Sequence, residues 1–205
     1  MKEFVYNVPM KQTRGRPKAF DEDIALELAM NYFWEHGYDN ASMDNLLIAM
    51  GIKKSSFYNT FESKEVLFSR VLDLYRRTML EQFEQLRQER GAKATLLALP
   101  TFTIEELRAT GKVRGCLMSN SAQECYNKYS DLSHQIRVEF EHHFSYIQEL
   151  IREAQALGDV SDKHSSKILA GRYINMLNGL IVIIQAGADE EVIADVVESL
   201  NDLLE

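Results

Sequence analysis

Between residues 53 and 64 lies a run of side chains suited to hydrogen bonding with phosphates and base edges: Lys53, Lys54, Ser55, Ser56, Tyr58, Asn59, Thr60 and Lys64. Ammonium groups neutralise phosphate, while short hydroxyls and a carboxamide can meet the donors and acceptors that bases expose in a groove. Upstream, Ser42 and Met43 open a helix whose free N-terminal amides could hold a phosphate. Arg14, Arg16 and Lys18 form a second basic group, with no acid among residues 11–18. As a flexible arm they could reach the backbone or an adjacent minor groove; the alternative is a solvated tail.

These side chains need two short helices held at a fixed angle. Ser42 is suited to cap the first, because its hydroxyl can accept from an orphan amide of the next turn. Met43, Leu46, Leu47 and Met50 then recur at helical spacing. Gly51 ends that helix, as a residue tolerating positive φ can, and Ile52 anchors the turn. A second helix over residues 54–61 turns Phe57 and Phe61 inward and leaves its polar residues outward. Ser63 caps a third, opened by Lys64 and Glu65. Residues 21–36 supply a preceding helix, where Ile24, Leu28, Phe33 and Trp34, with Ala25 and Ala29, are expected to cover the pair; Gly37 stops it. The spacing is that of a helix-turn-helix.

In this order and with these gaps, residues 21–74 resemble the DNA-binding domain of TetR/AcrR-type bacterial transcriptional regulators. The matching residues are Gly37-Tyr38, Ser42-Met43, Leu46, Gly51-Ile52, Ser55-Ser56-Phe57-Tyr58, Phe61 and Ser63-Lys64-Glu65-Val66-Leu67. The resemblance implies a recognition helix over residues 54–60, with Lys54, Ser55 and Ser56 reading bases. It also implies phosphate contacts from Tyr58 and Lys64. Two departures stand out: many members carry Ala at the position of Leu47 and an aromatic-His pair in place of Asn59-Thr60. The last two residues put the usual phosphate contacts there in doubt.

Charge supports a local rather than a global interaction. The net charge is −8, with residues 1–64 carrying eight Lys/Arg against nine Asp/Glu and the remaining 141 carrying 15 against 22. An acidic body disfavours a general nucleic-acid coat and favours a discrete operator. Affinity from so small a basic patch should fall steeply with salt.

The rest of the chain reads as helix. Residues 66–89 form one long helix with Leu67, Val71, Leu74, Leu80, Phe83 and Leu86 at helical intervals, about 36 Å at roughly 1.5 Å per residue. Further helices are expected at 92–107, with an interruption at Pro100, and at 116–126, 132–157, 163–186 and 190–204. No run approaches the roughly 20 apolar residues of a membrane span, and no leader sequence is evident, so a cytoplasmic protein is expected. The expected fold is all-α. An arm (1–20) precedes a three-helix DNA-binding domain (21–64), which a long helix joins to a helical effector-binding and dimerisation domain (65–205).

Near the C-terminus Ile168, Gly171, Asn175, Asn178, Gly179, Val182 and Ile183 form a broad face with small residues. Val192, Val196, Leu200 and Leu203 add a second stripe. Such a pair can complete a four-helix bundle with a second copy, and in the resembled family this is the dimer interface. The resemblance also implies an effector pocket, for which Phe83, Phe102, Leu117, Met118, Asn120, Glu124, Phe140, His143, Phe144, Tyr173 and Met176 are candidates; the other reading of these residues is plain core. Expected partners are double-stranded operator DNA, a second copy and a small-molecule effector, with no membrane.

A further run, Gly115-Cys116-Leu117 followed by Asn120 and Glu124, also occurs in relatives at the start of the corresponding helix. Cys116 at a helix N-terminus could hold a stabilised thiolate and sense oxidants or electrophiles; the alternative is a small buried thiol. Glu139-x-x-His142 lacks the second pair that a metal site needs, and no nucleophile elbow or phosphate-binding loop is present. Neither metal, cofactor nor enzymatic activity is expected. Two function classes remain: an effector-released DNA-binding repressor, or a helical adaptor without operator binding.

Overall fold

A computed structural model describes residues 20–205. Arg14, Arg16 and Lys18 lie outside the described residues. Among those described, the regular elements are all helices: α1 (Glu22–His36), α2 (Met43–Met50), α3 (Lys54–Phe61), α4 (Lys64–Arg90), α5 (Ala92–Thr110), α6 (Leu117–Cys125), α7 (Ser130–Leu157), α8 (Ser166–Gln185) and α9 (Glu190–Asp202).

α1, α2 and α4 begin where side-chain caps dictate. Asp21 accepts from the amides of Asp23 and Ile24 at 3.0 and 3.2 Å. The Ser42 and Ser63 hydroxyls accept from Asn45 and Val66 at 3.3 and 3.1 Å. Gly51 closes α2 in the left-handed region at φ 65°. Each cap satisfies a backbone group that a helix end would otherwise leave open. α4 runs for 27 residues, about 40 Å at 1.5 Å per residue, from the α2–α3 pair into the second half of the fold.

The inward face of α1 differs from the expected one. Ala25, Leu26, Ala29, Met30 and Phe33 are buried, whereas Ile24 and Leu28 are 52% and 40% exposed. The buried set follows i, i+4, i+8 with a second row one residue on, and Ile24 and Leu28 sit about 100° round the helix from the first row. The Phe33 ring meets Phe68 of α4 edge-on at 4.8 Å, which fixes that register.

Two apolar clusters form. One joins α1, α2, α3 and the first half of α4 to Leu117, Met118 and Cys125 of α6 and to Leu132 and Ile136 of α7. The other joins α5, the second half of α7, α8 and α9. α6 therefore belongs to the core of the helix-turn-helix although more than fifty residues of chain separate them.

α5 passes through Pro100 without a break, contrary to the expected interruption. Proline has no N–H, so the carbonyl four residues earlier, that of Leu96, loses its helical donor. The Tyr173 hydroxyl of α8 donates to that carbonyl instead. Tyr173 is fully buried in the second core, and burial pushes its phenol pKa far up, so it stays a donor. It is a structural residue, not the pocket residue expected.

α8 also corrects the statement that no segment is apolar enough to span a bilayer. Within its 20 residues a stretch of 18 reaches a mean hydropathy of 1.4, sufficient by length and composition. In this fold it packs between α7 and α9.

Replacing Tyr173 with Phe should strand the Leu96 carbonyl and cost about 1–3 kcal/mol. In a Pro100→Ala background the restored amide takes that carbonyl, and the same change should cost about 1 kcal/mol less. Urea denaturation of the four proteins measures the coupling, and equal costs in both backgrounds would refute the substitution of phenol for amide.

Candidate nucleic-acid interface and ligand cavity

α3 has two unlike faces. Phe57 and Phe61 are fully buried and contact each other at 5.6 Å between centroids. Lys54, Ser55, Tyr58 and Asn59 are exposed, together with Lys53 at the N-cap, while Ser56 and Thr60 are half-buried at the edge. The Tyr58 ring rests edge-on against buried Phe57 at 5.3 Å and is 47% exposed. Met43 is half-buried against the first core, and the Ser42 hydroxyl already caps α2.

Lys64 is not a free cation. Its Nζ lies 4.3 Å from the centre of the Tyr38 ring. Burial lowers its pKa, outweighing the Asp39 and Glu124 carboxylates nearby. Tyr38 is packed among Phe33, Phe68 and Tyr129, and burial, with a smaller effect from Glu65, pushes its pKa up to about 12.

The same corner holds a polar joint. Glu124, at the end of α6, accepts from the backbone amides of Tyr38 and Asp39, each at 2.7 Å. Asp39 in return accepts from Lys128 at 2.6 Å and from the Tyr129 hydroxyl at 2.7 Å; these two bonds hold its carboxyl below the usual range. Gly37 makes room: a Cβ there would stand 3.0 Å from both Glu124 carboxylate oxygens. Glu124, expected as an effector ligand, is thus a structural clamp.

A second joint lies one turn away. The Trp34 indole donates to the Gly115 carbonyl at 2.9 Å. The Arg114 guanidinium covers its face at 4.0 Å, and Tyr75 meets it edge-on at 5.0 Å.

Trp34 also borders an open cavity of about 1900 Å³ lined by α4, α5, α6, α7 and α8. Its apolar wall includes Tyr75, Met79, Leu80, Phe83, Phe102, Met118 and Phe140, with Ile174, Leu177 and Ile181 from α8. Of the expected pocket residues, Phe83, Phe102, Met118, Phe140 and His143 are in this wall. Burial lowers the His143 pKa, and burial followed by the Glu84 carboxylate pushes Tyr146 up to about 12. These groups present a neutral, hydrogen-bonding lining.

The other expected pocket residues lie outside this cavity, although Leu117, Asn120 and Glu124 border a smaller one beside α1 and α6. Leu117 is buried in the first core. Asn120 donates to the Arg114 carbonyl at 2.8 Å and stabilises the loop before α6. Phe144 and Met176 pack into the second core. Conversely Asn178, expected on the dimer face, lines the cavity and accepts from the Ser119 hydroxyl at 2.7 Å. Trp34, Tyr75, Arg76, Met79 and Glu139 were missed. Tyr75, Met79 and Phe83 recur every four residues along α4, with Arg76 beside them, a pattern that marks one face but not which void that face borders.

Of the remaining expected interface residues, Ile168, Asn175, Gly179, Val182 and Val192 are exposed, and Ile183, Val196 and Leu203 are half-buried. Leu200 is fully buried within the chain. Gly171 faces α7, where a Cβ would lie 3.8 Å from Phe144. Cys116 is half-buried in the cavity wall at the N-cap of α6, accepting from the Tyr75 hydroxyl at 3.8 Å. Cys125 is buried, and burial, then Glu124, pushes its thiol up to about 11.

A buried-backed polar helix following a capped helix and a left-handed turn defines a helix-turn-helix regulator. Residues 25–71 match the model for "Bacterial regulatory proteins, tetR family". The chain is 30% identical over 172 residues to the transcriptional regulator AcuR of Cereibacter sphaeroides, covering 80% of this chain and 78% of that one. It is 28% identical over 185 residues to the HTH-type transcriptional repressor ComR of Escherichia coli, covering 89% and 88%. Among solved structures, a cysteine mutant of the TetR family regulator CifR, complexed with 26-base-pair double-strand operator DNA, superposes with a TM-score of 0.79. It is 29% identical, and the match covers 93% of this chain and 100% of that one. The chain belongs to the TetR family: it is a DNA-binding transcriptional regulator, related to regulators and not to enzymes.

Gly37 and Gly91 offer a matched test of the Glu124 clamp. Their backbones are nearly identical, at φ 79°, ψ 169° and φ 84°, ψ 170°, but a Cβ at Gly91 would meet nothing within 4 Å. Alanine at either site should incur about 1–3 kcal/mol of backbone strain. At Gly37 it should also disturb two charge-assisted bonds, adding about 1–3 kcal/mol. Denaturation at one fixed protein concentration compares them, and equal losses would mean that the clamp contributes nothing.

Proposed function

We propose that this protein is a dimeric repressor that binds a pseudo-palindromic operator and is released from it by a small apolar effector. The observation that carries the reading is the exposed α3 face of Lys54, Ser55, Tyr58 and Asn59, held rigid by buried Phe57 and Phe61. Residues 21–64 would be the reader, with α3 in the major groove, its N-terminal residues on base edges and Tyr58 on phosphate. Lys64 would reach a phosphate only by leaving the Tyr38 ring, and Arg14, Arg16 and Lys18 would add contacts from the arm. Residues 65–205 would respond to the effector and dimerise.

Dimerisation is supported by the exposed α8 residues Ile168, Asn175, Gly179 and Val182 beside Val192 of α9. A second copy packing there would set two α3 helices about one DNA turn apart. The cavity supports the effector. A ligand that prefers one arrangement of α4 and α6 would shift the population of dimers whose half-site spacing fits the operator.

Selection from random duplex DNA at near-physiological salt should recover one pseudo-palindromic site. Lys54→Ala and Ser55→Ala should each weaken that site by about tenfold or more, the scale of one lost base contact, with unchanged thermal stability because both side chains are exposed. Binding that is weak and indifferent to sequence, and insensitive to these changes, would overturn the operator reading in favour of an adaptor.

A further inference from the structure

α3 is anchored inward by Phe57 and Phe61, but its ends are weakly made. Lys53 at its N-cap gives no side-chain bond to the first turn. At the other end the Ser63 amide donates back to the Phe61 carbonyl at 2.6 Å across Glu62, which lies at φ 61°, ψ −53°. A γ-turn of this hand is rare and strained, and such strain persists only where neighbouring structure holds it.

One side chain of α4 supplies a hold at this end. Arg70 Nη1 donates to the Thr60 carbonyl at 3.4 Å, and Arg70 Nη2 donates to the Glu22 carboxylate at the start of α1. The guanidinium carbon lies 4.8 Å from the centre of the Phe61 ring. Thr60 is in the last turn of α3, where open carbonyls carry partial negative charge and a cation is favoured. The side chains of Arg70 and Glu22 are 36% and 20% exposed, so water screens the pair only in part. A planar fork serves both acceptors at once, which an ammonium cannot do in the same geometry.

We propose that Arg70 is a positioning residue of α3: anchored by Glu22, it sets the angle at which the DNA-reading helix leaves the first core. This rests on the reading of α3 as the helix that enters the groove. α3 is about 12 Å long at 1.5 Å per residue, so a tilt of about 10° moves its far end by about 2 Å. That is more than a base hydrogen bond tolerates. The pair therefore governs base reading without touching DNA.

The test compares Arg70→Met, Glu22→Ala and the double variant of the full-length protein. Amide hydrogen exchange is measured without DNA, and affinity is measured for the selected operator and for random duplex over a range of salt. Each single change should speed exchange of the α3 amides about fivefold or more, the scale of one lost hydrogen bond. Operator affinity should fall about tenfold for each, the scale of one misplaced base contact, and the double variant should lose no more than either alone. Affinity for random duplex should change by less than about threefold and the salt slope should not change, because Arg70 neutralises no phosphate.

A phosphate-binding Arg70 gives different signs. Glu22→Ala would then free it and tighten both DNAs, and Arg70→Met would weaken both and reduce the salt slope by about one. Either result overturns the proposal, as do additive losses or α3 exchange as slow as in the unaltered protein. Should Arg70→Met fail to fold, Arg70→Lys keeps the charge and should show the same exchange and operator losses. If no operator is selected, the operator reading fails and exchange of the α3 amides alone decides whether Arg70 holds the helix.

Discussion

The placement of the helix-turn-helix against the rest of the fold is fixed at one corner by a single carboxylate. Glu124 accepts two backbone amides in the short connection between α1 and α2. Those amides follow directly on the C-terminus of α1, where the chain must turn. Charge-assisted bonds of this length are about twice as strong as neutral ones, and Asp39 doubles the link with bonds from Lys128 and Tyr129. Gly37 favours this approach, because at φ 79° a side chain is strained and its Cβ would stand 3.0 Å from both carboxylate oxygens. α2 and α3 pack on α1 and the start of α4, so whatever orients the end of α1 orients α3.

The helix that carries this carboxylate is also a wall of the cavity. α6 is nine residues long; Met118 and Ser119 at its start border the cavity, and Glu124 near its end holds the clamp. Its N-terminal connection adds the bond from Trp34 to the Gly115 carbonyl. A nine-residue helix with an intact hydrogen-bond ladder moves as a unit, so a shift at Met118 cannot leave Glu124 in place. Coupling between a ligand and the reading helix needs two arrangements that the ligand distinguishes. α6 joins the cavity wall at Met118 to the clamp at Glu124.

What the sequence made legible was local. Ser42, Gly51 and Ser63 bound α2, α3 and α4 through contacts within three or four residues, and the helix-turn-helix follows from them. The face of α1 was less so: Ile24 and Leu28 have the same apolar character as Leu26 and Met30, and only the partner surface of α4 decides between them. Contacts across large sequence separations were illegible. Glu124 read as a pocket group because its partners are backbone amides 85 and 86 residues away, which no side-chain pattern announces. The continuity of α5 was hidden for the same reason, since the donor that replaces the missing Pro100 amide comes from Tyr173, 77 residues from the carbonyl it serves.

α8 shows why apolar periodicity alone could not separate core, cavity and interface. Leu169, Ala170, Tyr173, Leu180 and Ile184 are buried in the second core. Ile174, Leu177, Asn178 and Ile181 face the cavity. Ile168, Asn175, Gly179 and Val182 are exposed. Three environments spread round one helix leave only Lys167, Arg172, Asn175 and Gln185 as polar exposed positions, so a stripe analysis sees nearly continuous apolarity. A helix so apolar yet only one-third buried leaves apolar area in water, at about 25 cal/mol for each Å² that a partner could cover. Its polar positions are informative for the same reason. Asn178 is tolerated because Ser119 donates to it inside the cavity, whereas Asn175 and Gly179 lie on the exposed side, where small and polar residues allow two helices to approach closely without swelling the monomer core.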